Sequence, residues 1–245
     1  MDYLKYYLKY IKTHLFYLLS LRNVVVIILI NLTCLIYAII SSSILNSFHI
    51  LDASRSEYFT YYTTNYFFFL KIIYIAFIIF INISFFNKDY ASYSELFIKN
   101  SKTKKDFYIT KYISIFLFYF LELLILESFF YMILIIVPYG KMYIYFIKPF
   151  LRLYLYGLYY SLLSSLFLTL FNTYLSSIFV FILYFISFVI NSDYQDNTIL
   201  LKVFNYMFPF GIDNTLVPFY GNISLILGVF LLALLNSLVI ILNNK

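Results

Sequence analysis

The chain has 245 residues, of which 64% are hydrophobic, 24% aromatic and only 11% charged. An average soluble domain has about 25% charged residues, so this chain has too little polar surface to cover a water-soluble globule. With a single cysteine, the composition excludes a soluble enzyme, a disordered tail and a disulfide-stapled secreted domain, and it predicts an all-α membrane protein.

The N-terminal residues 1–20 predict an amphipathic helix in the plane of the membrane at its cytoplasmic surface. Lys5, Lys9 and Lys12 recur at three- and four-residue spacing with Asp2, so they share one helix face. The predicted opposite face is apolar and consists of Leu4, Tyr7, Leu8, Ile11, Leu15 and Leu18. An anchoring role is favoured over a specific binding role, and the two are compatible.

Six apolar runs are long enough to cross a bilayer, which takes about 20 residues as a helix. Residues 153–190 have no charge, and as one helix they would be about 57 Å long. They must therefore fold back, which we place near Asn172 and Thr173. The predicted spans are 24–44, 66–86, 112–137, 153–171, 174–190 and 223–242, in one transmembrane domain covering 1–245.

The loops between the spans carry the orientation signal. Eleven of the 17 basic residues fall on the side that includes both termini, and five on the other side. The positive-inside rule therefore predicts cytoplasmic termini in the plasma membrane. The net charge of +6 is a topology signal, so nucleic acid is not an expected partner. The outer loop 191–222 is long and apolar enough to be partly helical before the last span.

The cytoplasmic loop between the second and third spans predicts a short helix. Ser92 and Glu95 have the spacing of a capping box before an apolar run, and Thr103 with Asp106 repeats it before the third span. The loop is either a solvated positive-inside segment or a docking helix for a cytoplasmic partner, and capping does not distinguish them. The candidate docking residues are Ser92, Glu95, Leu96, Phe97, Lys102, Lys104 and Lys105.

Three ionisable residues lie inside the predicted spans, where such groups are functional candidates. Lys71 and Glu127 are each 15 residues from the cytoplasmic end of their span. Both therefore lie about 22 Å from the cytoplasmic end of their span. Because the depths are equal, the two residues can form an ion pair that ties the second span to the third. Glu122 lies about 15 Å deep, near the midplane. It is either a neutral, hydrogen-bonded group or part of a transport path.

Small residues recur at four-residue spacing and predict close approach between helices. Gly157, Ser161 and Ser165 form one such row on the fourth span, and Ser224 with Gly228 begins another on the sixth. Packing within one chain is favoured over contact between two copies.

The sequence has no G-x-x-x-x-G-K-[ST] stretch for a P-loop and no H-E-x-x-H metal motif. No candidate serine nucleophile has a paired base. We therefore expect no catalytic residue, no metal and no cofactor bound by this chain, and an enzyme is not predicted. Abundant Lys, Asn, Ile, Phe and Tyr are typical of AT-rich codons in a low-GC bacterium. Codon bias thus offers one explanation of the aromatic content, and a hydrophobic substrate another.

The layout resembles an ABC-2-type transporter permease, a membrane subunit of bacterial ABC exporters. The most specific stretch is Tyr93–Ser114, which contains Ser94-Glu95-Leu96-Phe97, Ser101-Lys102-Thr103-Lys104-Lys105 and Lys111-Tyr112-Ile113-Ser114. It is similar to the family's coupling loop, in which an acidic residue and an apolar pair precede basic residues. A Gly-Thr pair often found in the family is missing, and Ser101 replaces a common proline.

The resemblance implies a permease that works as a dimer of permease chains, homo- or heterodimeric. Separate cytoplasmic ATPase subunits would bind ATP and Mg and dock on the loop. The small size is similar to exporters of amphipathic peptides, including lantibiotic-immunity and phenol-soluble-modulin exporters. The alternatives are a secondary carrier, a substrate-binding membrane subunit, and an immunity or accessory protein that does not transport.

Overall fold

A computed structural model of the chain describes residues 2–48, 55–86, 104–136, 147–171, 174–193 and 218–242. Over these ranges the chain forms seven helices and no strand, which confirms the all-α prediction. The helices are α1 (Asp2–Leu18), α2 (Leu21–Phe48), α3 (Arg55–Phe86), α4 (Lys104–Ile136), α5 (Ile147–Phe171), α6 (Tyr174–Asp193) and α7 (Pro218–Leu242).

Four of these helices are long and apolar enough to cross a membrane. The apolar windows are Leu21–Ser41 in α2, Thr63–Phe86 in α3, Asp106–Phe130 in α4 and Phe150–Phe171 in α5. They coincide with the first four predicted spans, although α3 and α4 begin 11 and eight residues earlier than those spans.

The last two predicted spans are also helical. α6 covers the fifth, and its start at Tyr174, after the end of α5 at Phe171, lies where the 38-residue run was predicted to break. α7 covers the sixth and contains a shorter apolar stretch, Leu225–Val239.

α5 lies at the centre of the bundle. It packs against α3, α4, α6 and α7, and 67% of its apolar window is buried, against 33% to 50% in the other three windows. Lipid tails are as apolar as the side chains, so association of such helices depends on close packing and interhelical hydrogen bonds. α5 carries residues suited to both, namely Gly157 and a run of serines.

α1 is an amphipathic helix, as predicted, and its Lys5, Lys9 and Lys12 are exposed. It packs along the first half of α4, where the Tyr7 hydroxyl donates to the Asp106 carboxylate. The chain turns at Leu19 and Ser20, and the Asn23 side chain donates to the Leu18 carbonyl at 2.8 Å.

The predicted apolar face of α1 is confirmed in part, since Leu18 is buried and Ile11 and Leu15 are half-buried. Leu8 is 56% exposed, whereas Tyr10, His14 and Leu18 form the buried seam. These three residues are spaced four apart and therefore lie on one face of the helix. Aromatic rings of α3 and α4 determine which residues of α1 are buried. His14 lies between Phe85 of α3 and Phe107 of α4.

Candidate functional site

The predicted docking loop is only partly within the described residues. Ser92, Glu95, Leu96, Phe97 and Lys102 lie outside them, so their roles stay predictions. Lys104 and Lys105 begin α4, and the predicted capping residue Thr103 lies outside the described residues.

The end of α3 and the start of α4 meet in a cluster that we call the junction. It comprises His14, Phe85, Phe86, Phe107 and Lys111. The Lys111 Nζ lies 4.9 Å from the Phe85 ring centroid, 4.6 Å from Phe86 and 5.7 Å from Phe107. Only 2% of Lys111 is exposed. With its Nζ packed over three aromatic rings, Lys111 joins the end of α3 to the start of α4.

His14 of α1 completes the junction. Its ring centroid lies 5.7 Å from that of Phe85 and 5.2 Å from that of Phe107, in edge-to-face geometry. Burial, together with the nearby positive charge of Lys111, lowers the pKa of His14 to about 4. His14 is therefore neutral at pH 7, which suits a site already occupied by a lysine. Burial of His14 was not predicted, because histidine is intermediate between the buried and the exposed residue types.

A second cluster lies deeper, and we call it the polar centre. It comprises Tyr74 and Asn82 of α3, Tyr119 and Glu122 of α4, and Ser161 of α5, each at most 2% exposed.

The depth of the polar centre follows from the junction, where Phe86 and Lys111 meet. From that level Glu122 is 11 residues along α4 and Tyr74 is 12 residues along α3. Those separations are about 16 and 18 Å along the helices, so the polar centre lies well inside the bundle.

Asn82 joins three helices in the polar centre. Its side-chain nitrogen donates to the Ser161 carbonyl at 3.1 Å. Its side-chain oxygen accepts from the Tyr119 hydroxyl at 3.1 Å and from the Ser161 hydroxyl at 3.3 Å. The asparagine thus cross-links α3, α4 and α5. Asn82 was not among the predicted site residues, because only charged residues inside the spans were considered. An asparagine within an apolar run was nevertheless a usable signal.

Glu122 and Tyr74 are the polar groups of this centre that the structure leaves unsatisfied. Among the described residues, neither the Glu122 Oε2 nor the Tyr74 hydroxyl has a hydrogen-bond partner, and both are buried. The two interact electrostatically, and Tyr119 also interacts with Glu122. A buried polar atom without a partner is costly and often marks a functional position.

Lys71 and Glu127 have different surroundings. Lys71 is 7% exposed, and its Nζ lies 4.4 Å from the centroid of the Tyr156 ring on α5. Its carbonyl accepts a hydrogen bond from the Tyr184 hydroxyl of α6 at 3.0 Å. Glu127 is half-buried on α4. The ion pair between Lys71 and Glu127 stays a prediction.

The small residues of α5 line close contacts within the chain. A Cβ added at Gly157 would lie 2.7 Å from the Ile78 Cδ1 and 3.1 Å from the Tyr74 ring. Similarly, a Cβ at Gly228 of α7 would lie 2.8 Å from the Tyr159 ring. α3 and α7 therefore approach α5 at positions where glycine leaves room. Ser224 belongs to α7, and its side chain is outside the described set.

Ser165 belongs to a further polar contact between α4, α5 and α7. The Asn236 side-chain oxygen accepts from the Tyr112 hydroxyl at 2.9 Å and from the Ser165 hydroxyl at 3.1 Å. Its nitrogen donates to the carbonyls of Leu162 and Leu232 at 3.0 and 2.9 Å. Asn236 thus cross-links α4, α5 and α7 about one turn further along α5 than Asn82 does.

Within the described part of the chain, no group of three or more His, Cys, Asp or Glu side chains could hold a metal ion. No protein-family model, curated protein or solved structure matches the chain.

Proposed function

We propose that the chain is the membrane permease subunit of an ATP-driven exporter. It spans the plasma membrane six times with both termini in the cytoplasm. It works with a second permease copy and with separate ATPase subunits that bind ATP and Mg.

The observation that carries the proposal is the junction. It holds together the end of α3 and the start of α4, the two helices that flank the proposed docking segment of the ATPase. Because Lys111 lies against both Phe85 and Phe86, movement of that segment would shift the ends of α3 and α4 together. α1 would move with them, since Ser114 on α4 donates to the Ile11 carbonyl at 3.4 Å.

The junction also offers a path for this movement towards the membrane interior. Asn82 lies one helical turn before Phe86 and bonds to Tyr119 and Ser161. A shift at the junction would therefore reach α5 through packed side chains and hydrogen bonds. Two packings of this interface would give inward- and outward-open states that ATP binding on the partner could select.

The proposed substrate class is a hydrophobic or amphipathic molecule, with a peptide toxin as the first choice. The resemblance to small peptide-exporting permeases supports this choice. Adaptable aromatic contacts between the two permease copies would suit such a substrate.

A secondary carrier is the second candidate, and buried Glu122 favours it. A carboxyl group at mid-membrane is a typical element of ion-coupled transport. The two candidates differ in energy source, because the exporter requires an ATPase partner and the carrier requires an ion gradient.

Copurification from the native membrane tests the proposal. The tagged full-length chain, solubilised in mild detergent, should retain a protein with a nucleotide-binding motif. Glu95→Arg should lose that protein while keeping the bundle folded. Asp89→Arg is the matched control, since it makes the same charge change in the same segment outside the proposed docking residues. A wild-type complex without any such protein would favour a carrier or a non-transporting accessory protein.

A further inference from the structure

Glu122 is 1% exposed at the middle of the bundle. Among the described residues, no lysine or arginine forms an ion pair with it. The titratable groups that face it are tyrosines, Tyr74 on α3 and Tyr119 one turn earlier on α4. Tyr154 of α5 faces Tyr74 in turn. At neutral pH a tyrosine hydroxyl is uncharged and cannot neutralise a carboxylate.

The packing around these groups limits the size of any ligand. A Cβ at Gly157 would already lie 3.3 Å from the Tyr74 hydroxyl and 2.7 Å from the Ile78 Cδ1. Even a methyl group is therefore crowded beside the hydroxyl. In addition, the Asn82 side-chain oxygen already accepts from Tyr119 and Ser161. These contacts leave little room beside the Tyr74 hydroxyl on the side of Gly157.

A proton needs no additional space, and it removes the charge that makes the carboxylate costly. An unpaired carboxylate in a low-dielectric interior is so unfavourable that such a group ordinarily takes up a proton instead. The Tyr74 hydroxyl interacts electrostatically with the carboxyl group without forming a hydrogen bond to it.

We propose that Glu122 is a proton-binding site in the interior of the bundle, loaded while α3, α4 and α5 are packed together. The proton leaves to water when these helices separate, and the exposed carboxylate then opposes their reclosure until it is protonated again. Opening of the bundle is thereby linked to release of one proton. The site stands whether or not an ATPase drives the protein.

Infrared spectroscopy of the full-length protein in lipid tests the site. The chain has only four glutamates, Glu57, Glu95, Glu122 and Glu127. Uniform ¹³C labelling of glutamate therefore isolates four carboxyl groups from the aspartates. At about pH 7.5, fewer than about one in a thousand solvated glutamates is protonated, given an ordinary pKa of about 4.3. The proposal predicts a ¹³C-shifted C=O band of a protonated acid that Glu122 supplies.

Glu122→Gln should remove this band, and Glu127→Gln on the same helix is the control that should keep it. Glu122→Gln mimics the protonated acid in shape and charge, so the variant should fold with the melting temperature of the wild type. If Glu122→Gln does not fold, the labelled wild type alone tests the proposal. Absence of a protonated glutamate band in the folded wild type would overturn it.

Hydrogen–deuterium exchange tests the link to opening. After correction for intrinsic exchange chemistry, the middle of α3 and α5 should take up deuterium faster in the wild type as the pH is raised. Glu122→Gln should show no such increase. An identical pH response in the two proteins would overturn the link.

Discussion

The position of His14 predicts that docking of α1 weakens in acid. In the folded chain, burial and the nearby Lys111 charge lower the pKa of His14 to about 4. In the unfolded chain it is about 6.5. Between these values the unfolded state binds the proton and the folded state does not, so stability falls as the pH drops from about 6.5 to about 4 and is fully present above that range. The separation of about 2.5 pH units corresponds to about 3 kcal/mol.

The substitution His14→Phe should remove this dependence. The ring would still lie between Phe85 and Phe107, whose centroids are 5.7 and 5.2 Å from that of His14. Below about pH 6 the variant should therefore be more stable than the wild type. His49→Phe, which removes the only other histidine, is the matched control and should behave as the wild type does.

Thermal unfolding of the purified protein in detergent, at several pH values between about 7.5 and 4.5, measures the effect. Deuterium exchange over α1 shows whether the loss is located there. Parallel pH profiles for the wild type and His14→Phe would refute the reasoning, because the buried neutral histidine would then contribute nothing to the acid sensitivity.

Three further predictions follow from the interhelical contacts. Tyr119→Phe removes one hydroxyl donor from Asn82 and should destabilise the bundle by about 1 kcal/mol, measured by thermal unfolding; an unchanged melting temperature would count against the polar centre as a cross-link. Asn236→Leu deprives two hydroxyls and two carbonyls of a partner and should cost about 1–3 kcal/mol in the same assay, whereas no loss would show that these groups find other partners. If Lys71 and Glu127 pair, exchanging both charges should restore the folded yield lost in each single exchange, and the absence of rescue would exclude the pair.

The helices themselves were largely predictable from the sequence. Long apolar runs have few alternatives to the helix in a membrane, because their backbone groups must be satisfied internally. The break in the 38-residue run was predicted near Asn172 and Thr173, which lie outside the described residues; α5 ends at Phe171 and α6 begins at Tyr174 on either side of them. These inferences depend on length and composition, which need no knowledge of neighbouring helices.

The contacts between helices were less predictable. The buried seam of α1 depends on the rings of Phe85 and Phe107, which come from two distant parts of the sequence. The roles of Asn82 and Asn236 likewise depend on serine and tyrosine hydroxyls of other helices. Hydropathy assigns a residue to a span but not to a side of it, so these partners became apparent only in the folded chain.

ATP hydrolysis by the complex purified from its native membrane tests the central proposal most directly. The tagged chain has no P-loop motif of its own, so any activity in its eluate must come from a bound partner. The proposal predicts hydrolysis that copurifies with the wild-type chain and with Asp89→Arg but is lost with Glu95→Arg. A folded, lipid-bound wild-type preparation without ATP hydrolysis or a nucleotide-binding partner would contradict it.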